Sequence, residues 1–137
     1  MTNVKSSNDK ERDAELQMTK YDIRERSLEF AVGCARLVNK LIRSQVSIEY
    51  SRQLIRSSAS VGANVEEADG VLSRRDFVNK MALARREARE SRYWLRLINM
   101  ASLLADQASK NELERLKKEA EEILLILSSI VNKTRNK

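Results

Sequence analysis

The 137-residue chain contains no proline and only three glycines, Gly33, Gly62 and Gly70. Because these two residue types interrupt helices most strongly, long stretches of the sequence can stay helical without a break. Aromatic residues make up only 4% of the chain, and no segment alternates apolar and polar residues as half-buried strands do. The sequence therefore predicts an all-α protein, long enough for one domain with a buried core.

Four segments carry apolar residues at spacings of three and four, the pattern of amphipathic helices. We predict helices over about 22–43 and 47–69, a third from Ser73 through Ile98, and a fourth over about 109–131. Short connections place consecutive helices side by side, which predicts an antiparallel up-down-up-down four-helix bundle over residues 22–133. Residues 1–21 form a polar tail that we expect to be disordered, and residues 134–137 form a basic tail.

Several helix ends and buried seams can be assigned to particular residues. Ser73 and Ser109 begin capping-box patterns with Asp76 and Glu112, and Gly70 is expected to end the second helix in a left-handed conformation. The apolar spacing predicts the following seams for the first, third and fourth helices: Ala31, Cys34, Val38 and Leu41, with Leu28, Phe30 and Ile42 beside them; Phe77, Met81, Ala84, Ala88, Ser91, Leu95 and Ile98; and Leu113, Leu116, Ala120, Ile123, Leu127 and Ile130.

The chain contains no histidine. This removes serine- and cysteine-type triads, histidine-ligated metal sites and most general-base chemistry near neutral pH. The remaining catalytic candidates are the carboxylates of Glu66, Glu67, Glu87 and Glu90, which we expect to form salt bridges instead. We therefore predict a protein that is not an enzyme and has no catalytic residues, cofactor or metal. Without an apolar span or a signal-peptide core, it is expected to be cytoplasmic and to have no contact with a membrane.

The third predicted helix has two unlike flanks. At about 100° per residue, Arg85, Arg89, Arg92 and Arg96 fall on one side of the seam, and Glu87, Glu90 and Trp94 fall on the other. Two dissimilar edges suit a head-to-tail contact between copies, which closes into a ring when the rotation permits. We predict that the second flank forms a subunit interface through Glu87, Glu90 and Trp94.

Basic charge is concentrated in the same helix. Residues 74–96 hold eight basic and three acidic residues, a net charge of +5 out of +6 for the whole chain. Such a surface can contact the phosphates of a nucleic acid, or it can meet the glutamates of an adjacent subunit. Only Tyr93 and Trp94 lie among these arginines, so a base-stacking surface is not expected. The predicted nucleic-acid-binding residues are Arg74, Arg75, Arg85, Arg86, Arg89, Arg92 and Arg96.

Two segments resemble a known family. Residues 60–68 are similar to a Ser-x-x-x-Asn-x-x-Glu-small motif, in which Ser60, Asn64, Glu67 and Ala68 take the fixed positions. Residues 76–77, 84, 87–90 and 93–95 are similar to a signature of the third helix. Over residues 24–133 the chain resembles the four helix bundle protein family, also called the 23S rRNA-intervening sequence protein family, although Gly62 departs from the commonest pattern.

This resemblance implies a four-helix bundle that assembles as a homopentameric ring. It also favours a structural role for Asn64 and Glu67 at a boundary between helices or subunits. Related basic pentamers, the accessory variability determinants of diversity-generating retroelements, bind RNA and a reverse transcriptase. The partners that the resemblance implies are therefore further copies of the chain, and RNA or a ribonucleoprotein that contains a reverse transcriptase.

Two functions remain open from the sequence. The first is an accessory ring that binds RNA or a ribonucleoprotein through the arginines of the third helix and the C-terminal Lys133, Arg135 and Lys137. The second is a scaffolding oligomer whose arginines serve its own subunit interfaces. The first requires the arginines to be exposed in the assembled ring, whereas the second requires them to be buried.

Overall fold

The computed structural model describes residues 7–136, with side chains described at Ser7 and from Ile23 onward. It contains four helices: α1 (Ser7–Val38), α2 (Gln45–Asp69), α3 (Arg74–Met100) and α4 (Gln107–Arg135). Within the described part of the chain, α1 contacts α2 and α4, and α3 contacts α2 and α4, whereas neither diagonal pair is in contact. The four helices thus form a square around one core, and the prediction of an all-α, four-helix protein is confirmed.

The buried seams of α3 and α4 follow the predicted spacing. In α3 the seam begins at Val78 rather than at Phe77, which is half-buried, and in α4 it ends at Val131 rather than at Ile130. The remaining members of both seams are buried as predicted: Met81, Ala84, Ala88, Ser91, Leu95 and Ile98 in α3, and Leu113, Leu116, Ala120, Ile123 and Leu127 in α4.

The seam of α1 differs from the predicted one. Its buried residues are Ile23, Ser27, Phe30, Cys34 and Leu37, while the predicted neighbours Leu28 and Ile42 are 58% and 49% exposed. Both assignments pass through Cys34, but the observed one buries the larger side chains of Phe30 and Leu37 and therefore removes more apolar surface from water.

The bounds of α1 also differ. It begins at Ser7, well before the predicted start at residue 22, because residues 7–21 contain no proline or glycine to interrupt a helix. It ends at Val38 rather than residue 43. The rest of the predicted N-terminal tail, residues 1–6, and Lys137 of the C-terminal tail lie outside the described residues. The domain boundaries at residues 21 and 133 stay predictions.

Of the predicted helix ends, one is confirmed and two are corrected by the structure. Ser73 caps α3 as predicted, since its hydroxyl accepts from the Asp76 amide at 3.1 Å. The start of α4 was wrong: Asp106 is its cap, accepting from the Ser109 amide at 2.9 Å and from the Ser109 hydroxyl at 2.8 Å. These two bonds lower the pKa of the Asp106 carboxyl. Gly70 ends α2 with φ −96°, so the left-handed conformation predicted there was also wrong.

Two glycines lie in helix interiors where another helix comes close. A Cβ at Gly62 would lie 3.6 Å from the Ser27 Cβ, an ordinary contact, whereas a Cβ at Gly33 would lie 2.7 Å from Cδ2 of the buried Leu116. Cys34 is buried beside this second contact, and burial raises the pKa of its thiol to about 12. Cys34 is thus a core residue, as predicted from its apolar neighbours.

Candidate nucleic-acid interface

The flank of α3 that faces α2 is held by charge pairs. Arg56 of α2 contacts the Glu90 carboxylate and lies 3.9 Å from Glu87. Nearer the start of α3, Lys80 Nζ is 2.6 Å from a carboxylate oxygen of Glu67. Every charged side chain on this flank therefore has a partner of opposite sign on the neighbouring helix of the same chain.

Polar and aromatic contacts join α2 and α3 along the same line. The Ser91 hydroxyl donates to the Ser57 hydroxyl at 2.9 Å, and both side chains are buried. The Trp94 ring lies 5.8 Å from the Tyr50 ring, centroid to centroid, and its indole nitrogen donates to Glu90 at 3.3 Å. A half-buried indole whose nitrogen is hydrogen-bonded fits well between two helices. These two contacts therefore fix the position of the Trp94 ring against α2.

The residues predicted for a subunit interface thus have partners within their own chain. Glu87 and Glu90 are directed to Arg56, and Trp94 packs on Tyr50. All three remain partly exposed. Their role between subunits stays a prediction.

The two residues of the predicted structural motif lie nearby on α2. The Asn64 amide donates to the Ser60 carbonyl oxygen of its own helix at 2.8 Å. Glu67 joins α2 to α3 through Lys80. The structure therefore places Glu67 at a boundary between helices, while the bond of Asn64 is local.

The arginines of α3, unlike the charged residues on the flank that faces α2, lack ion-pair partners among the described residues. None of the seven forms a salt bridge with a residue that the structure describes. Because α3 has only two neighbours and its other flank faces α2, the arginine flank lies on the side of α4; no ion pair between described residues joins α3 to α4. Two of the seven are half-buried, Arg85 and Arg92, and five are exposed: Arg74, Arg75, Arg86, Arg89 and Arg96.

Several arginines on the other helices are paired, although Arg36, Arg43 and Arg135 also form no salt bridge with a described residue. Arg24 of α1 binds Glu66 of α2 at 2.9 Å, and its hydrogen bond lowers the pKa of the Glu66 carboxyl. Arg26 contacts Glu119 and Glu122 of α4. The bundle thus uses arginine to connect α1 with α2, α1 with α4 and α2 with α3. The seven arginines of α3, which we call the outer flank of this helix, connect it with nothing that the structure describes.

Two of the unpaired arginines occupy an unfavourable position in their own helix. Arg74 and Arg75 are the first two residues of α3. The amino end of a helix carries a partial positive charge, so cations there are repelled rather than stabilised. An anion bound near this end would relieve that repulsion.

Tyr93 is a further member of this surface, and the sequence alone predicted no role for it. It is 55% exposed and lies four residues after Arg89 and three before Arg96, so all three share one side of α3. The spacing was visible in the sequence, but the exposure of the ring depends on how Trp94 packs against α2.

The described residues offer no other site with evident chemistry. They contain no group of three or more Cys, Asp or Glu side chains that could hold a metal ion. None of the four helices, as far as they are described, is both long and apolar enough to cross a membrane.

The fold and this surface define a class: four-helix α proteins in which one helix carries an unpaired arginine flank. The chain matches the 23S rRNA-intervening sequence protein family over residues 19–129, and it belongs to that family, as the resemblance of its motifs predicted. A crystal structure of a protein of unknown function from the S23 ribosomal protein family of Bacteroides thetaiotaomicron is similar, with 35% identity and a TM-score of 0.74. The alignment covers 84% of this chain and 99% of that one. No curated protein matches the chain.

Proposed function

We propose that this protein is a non-enzymatic accessory factor that binds RNA, alone or within a ribonucleoprotein, through the outer flank of α3. The observation that supports this most is the lack of a described salt-bridge partner for any of the seven arginines. Arginines that are not neutralised by carboxylates can displace the counterions of a phosphate backbone. The name of the family, which refers to 23S rRNA, agrees with RNA as the partner.

We also propose that neighbouring helices run antiparallel, up-down-up-down. The contacts between α2 and α3 support this topology, because the partner in α3 comes earlier in that helix as the residue in α2 comes later: Tyr50 meets Trp94, Ser57 meets Ser91, and Glu67 meets Lys80. The connection after α1 meets the connection before α4 through the Ile42 amide and the Leu103 carbonyl oxygen, 2.8 Å apart.

The bundle is further proposed to assemble as a homopentameric ring. The number five comes from the family resemblance. The structure contributes an exposed apolar face at the α1–α2 edge: Ile48 and Ile55 are 47% and 45% exposed and line a groove with Val38 of α1. Exposed apolar patches of this kind are typical of protein interfaces. A ring joins two unlike surfaces of each subunit. In the square of helices the α1–α2 edge is opposite the α3–α4 edge, so it can serve as one of these surfaces without covering the arginines.

The second candidate function is a scaffolding oligomer without a nucleic-acid role. The same apolar face favours assembly in both cases. The two candidates differ in one respect: in the scaffold, the α3 arginines are covered by the acidic residues of another copy.

RNA binding is tested by a salt series with matched variants. Filter binding of a single-stranded RNA is measured for the wild type, for Arg86→Ala/Arg89→Ala, and for Arg52→Ala/Arg115→Ala. The two double variants lose the same charge, but Arg52 and Arg115 are paired with Glu49 and Glu112 of their own helices. We expect the first variant to flatten the plot of log K against log salt by about 0.7–1 per arginine, and the second to leave the slope unchanged. No binding by the wild type at low salt would favour the scaffold.

Assembly is tested by light scattering. We expect a mass near five chains for the wild type at micromolar concentration and a lower mass for Ile55→Asp, which places a charge on the apolar face. Trp94→Ala tests the interface predicted from the sequence. A pentamer that is lost with Trp94→Ala but kept with Ile55→Asp would place the subunit contact on the α2–α3 edge. A monomeric wild type would contradict the ring.

A further inference from the structure

Tyr93 stands in the middle of the arginine flank. Arg86, Arg89 and Arg96 are seven and four residues before it and three residues after it, and all four fall within a sector of about 80° around the axis of α3. The helical rise places Arg89 and Arg96 about 10 Å apart along that axis, on either side of the tyrosine. The ring is thus flanked by cations in both directions along the helix.

The Tyr93 ring contacts the Trp94 ring and is more than half exposed. Its centroid lies 5.2 Å from that of Trp94, and the two ring planes meet at 76°. A perpendicular pair covers at most one face of either ring, and Tyr93 is 55% exposed. Trp94 is itself anchored by Tyr50 of α2 and by Glu90. The tyrosine therefore presents an aromatic face to solvent from a fixed support, which lowers the cost of ordering it on binding.

An exposed aromatic face between arginines has a matching ligand. In single-stranded RNA the bases are free to stack on protein aromatic rings while the flanking phosphates contact cations, and every base has a suitable face. In a duplex the bases are stacked on one another, so their faces are not free, and a protein contacts phosphates, 2′-hydroxyls and base edges instead. A flank that only bound duplex phosphates would gain nothing from the ring.

We propose that Tyr93 stacks on an unpaired base of single-stranded RNA, with Arg89 and Arg96 contacting the phosphates on either side. This inference rests on the proposed RNA binding and specifies its ligand: unpaired nucleotides rather than a duplex. It replaces the expectation, drawn from the sequence, that this helix has no base-stacking surface.

The test compares a labelled 12-nucleotide single strand of mixed sequence with the duplex that it forms with its complement, by fluorescence anisotropy at one low salt concentration. Tyr93→Ala is expected to weaken binding of the single strand by about 5- to 100-fold, as loss of one stacked base does, and to change binding of the duplex by less than about twofold. Tyr93→Phe keeps the ring and should bind both as the wild type does. Arg89→Ala should weaken both RNAs.

The outcomes separate this inference from the function on which it rests. If the wild type binds neither RNA, the proposed function fails and the inference with it. If RNA binds but Tyr93→Ala leaves the affinity for the single strand unchanged, or weakens both RNAs equally, stacking is overturned and RNA binding stands. Light scattering of each variant completes the test. A change in the oligomer mass of Tyr93→Ala would place the tyrosine side chain between copies of the chain and would overturn the inference.

Discussion

The two flanks of α3 share one helix and one buried seam, yet the charged residues are ion-paired with described residues of the chain on only one of them. On the flank that faces α2, Lys80, Glu87 and Glu90 all have partners of opposite sign. On the outer flank, seven arginines have no described partner, and Asp76 is the only other acidic residue of α3. The backbone and the core are common to both flanks, so neither explains the difference. The α2 flank thus joins α3 to α2, whereas the arginines of the outer flank have no ion-pair partner among the described residues of their own chain.

Repulsion between the arginines of the outer flank also lowers the stability of α3. Like charges three or four residues apart on a helix destabilise it by about 0.2–0.5 kcal/mol per pair. Arg85 with Arg89, Arg86 with Arg89, and Arg92 with Arg96 are such pairs. The repulsion between these arginines would be relieved most directly by a bound anion.

The largest change in the free energy of unfolding is expected from a substitution in the buried seam of α3, which lies between the two flanks. Leu95 is fully buried, and Leu95→Ala should lower the free energy of unfolding by about 2–5 kcal/mol, because it removes buried apolar atoms and leaves a cavity. Urea denaturation measures the change, with Arg89→Ala as the exposed control on the same helix. A Leu95→Ala protein within about 0.5 kcal/mol of the wild type would contradict the placement of the seam.

The contrast between the flanks is tested by one substitution made on each side. Arg56→Ala removes the partner of Glu90 and of Glu87, one of whose carboxylate oxygens is buried without a hydrogen bond. We expect a loss of about 1 kcal/mol, since the arginine is itself half exposed but leaves a nearly buried charge. Arg89→Ala should change stability by less than about 0.5 kcal/mol. Equal losses in urea denaturation would remove the distinction between the flanks.

Two glycine substitutions in helix interiors, with smaller expected changes in the free energy of unfolding, test whether interior packing rather than the α3 charges determines stability. Gly62→Ala should stabilise the protein by about 0.4–1 kcal/mol, because alanine favours the helix and its Cβ meets Ser27 at ordinary distance. At Gly33 the same gain is opposed by Leu116, 2.7 Å from the new Cβ, so Gly33→Ala should be neutral or destabilising. Thermal denaturation of the two variants compares them directly. A larger stabilisation at Gly33 would contradict the packing of α1 on α4.

Periodicity was sufficient to predict α3 and α4, because each has one strong apolar stripe. It failed in α1, where Leu28 and Phe30 offer two possible registers, and only the partner helices decide which is buried. The start of α4 was missed because Asp106 and Ser109 both suit a capping position, and the chain uses the first.

The surface of α3 was predictable only in part. Counting along the helix separates the arginine flank from the flank with Glu87, Glu90 and Trp94. It cannot reveal that Arg56 and Tyr50 of α2 meet the second flank, because those contacts join residues more than thirty positions apart. The same contacts orient Trp94 and leave Tyr93 exposed, so the ring could not be assigned a role from the sequence.

The most direct test is the accessibility of the arginines in the assembled protein. The oligomer, with its mass fixed by light scattering, is treated briefly with phenylglyoxal, and modified arginines are located by mass spectrometry. Arg26, whose side chain is 22% exposed and held by two glutamates, is the internal control and should be protected. We predict that Arg86, Arg89 and Arg96 react readily and that bound RNA protects them. Arginines of α3 that are as protected as Arg26 in the oligomer without RNA would place them in subunit interfaces and would contradict a ligand-binding flank.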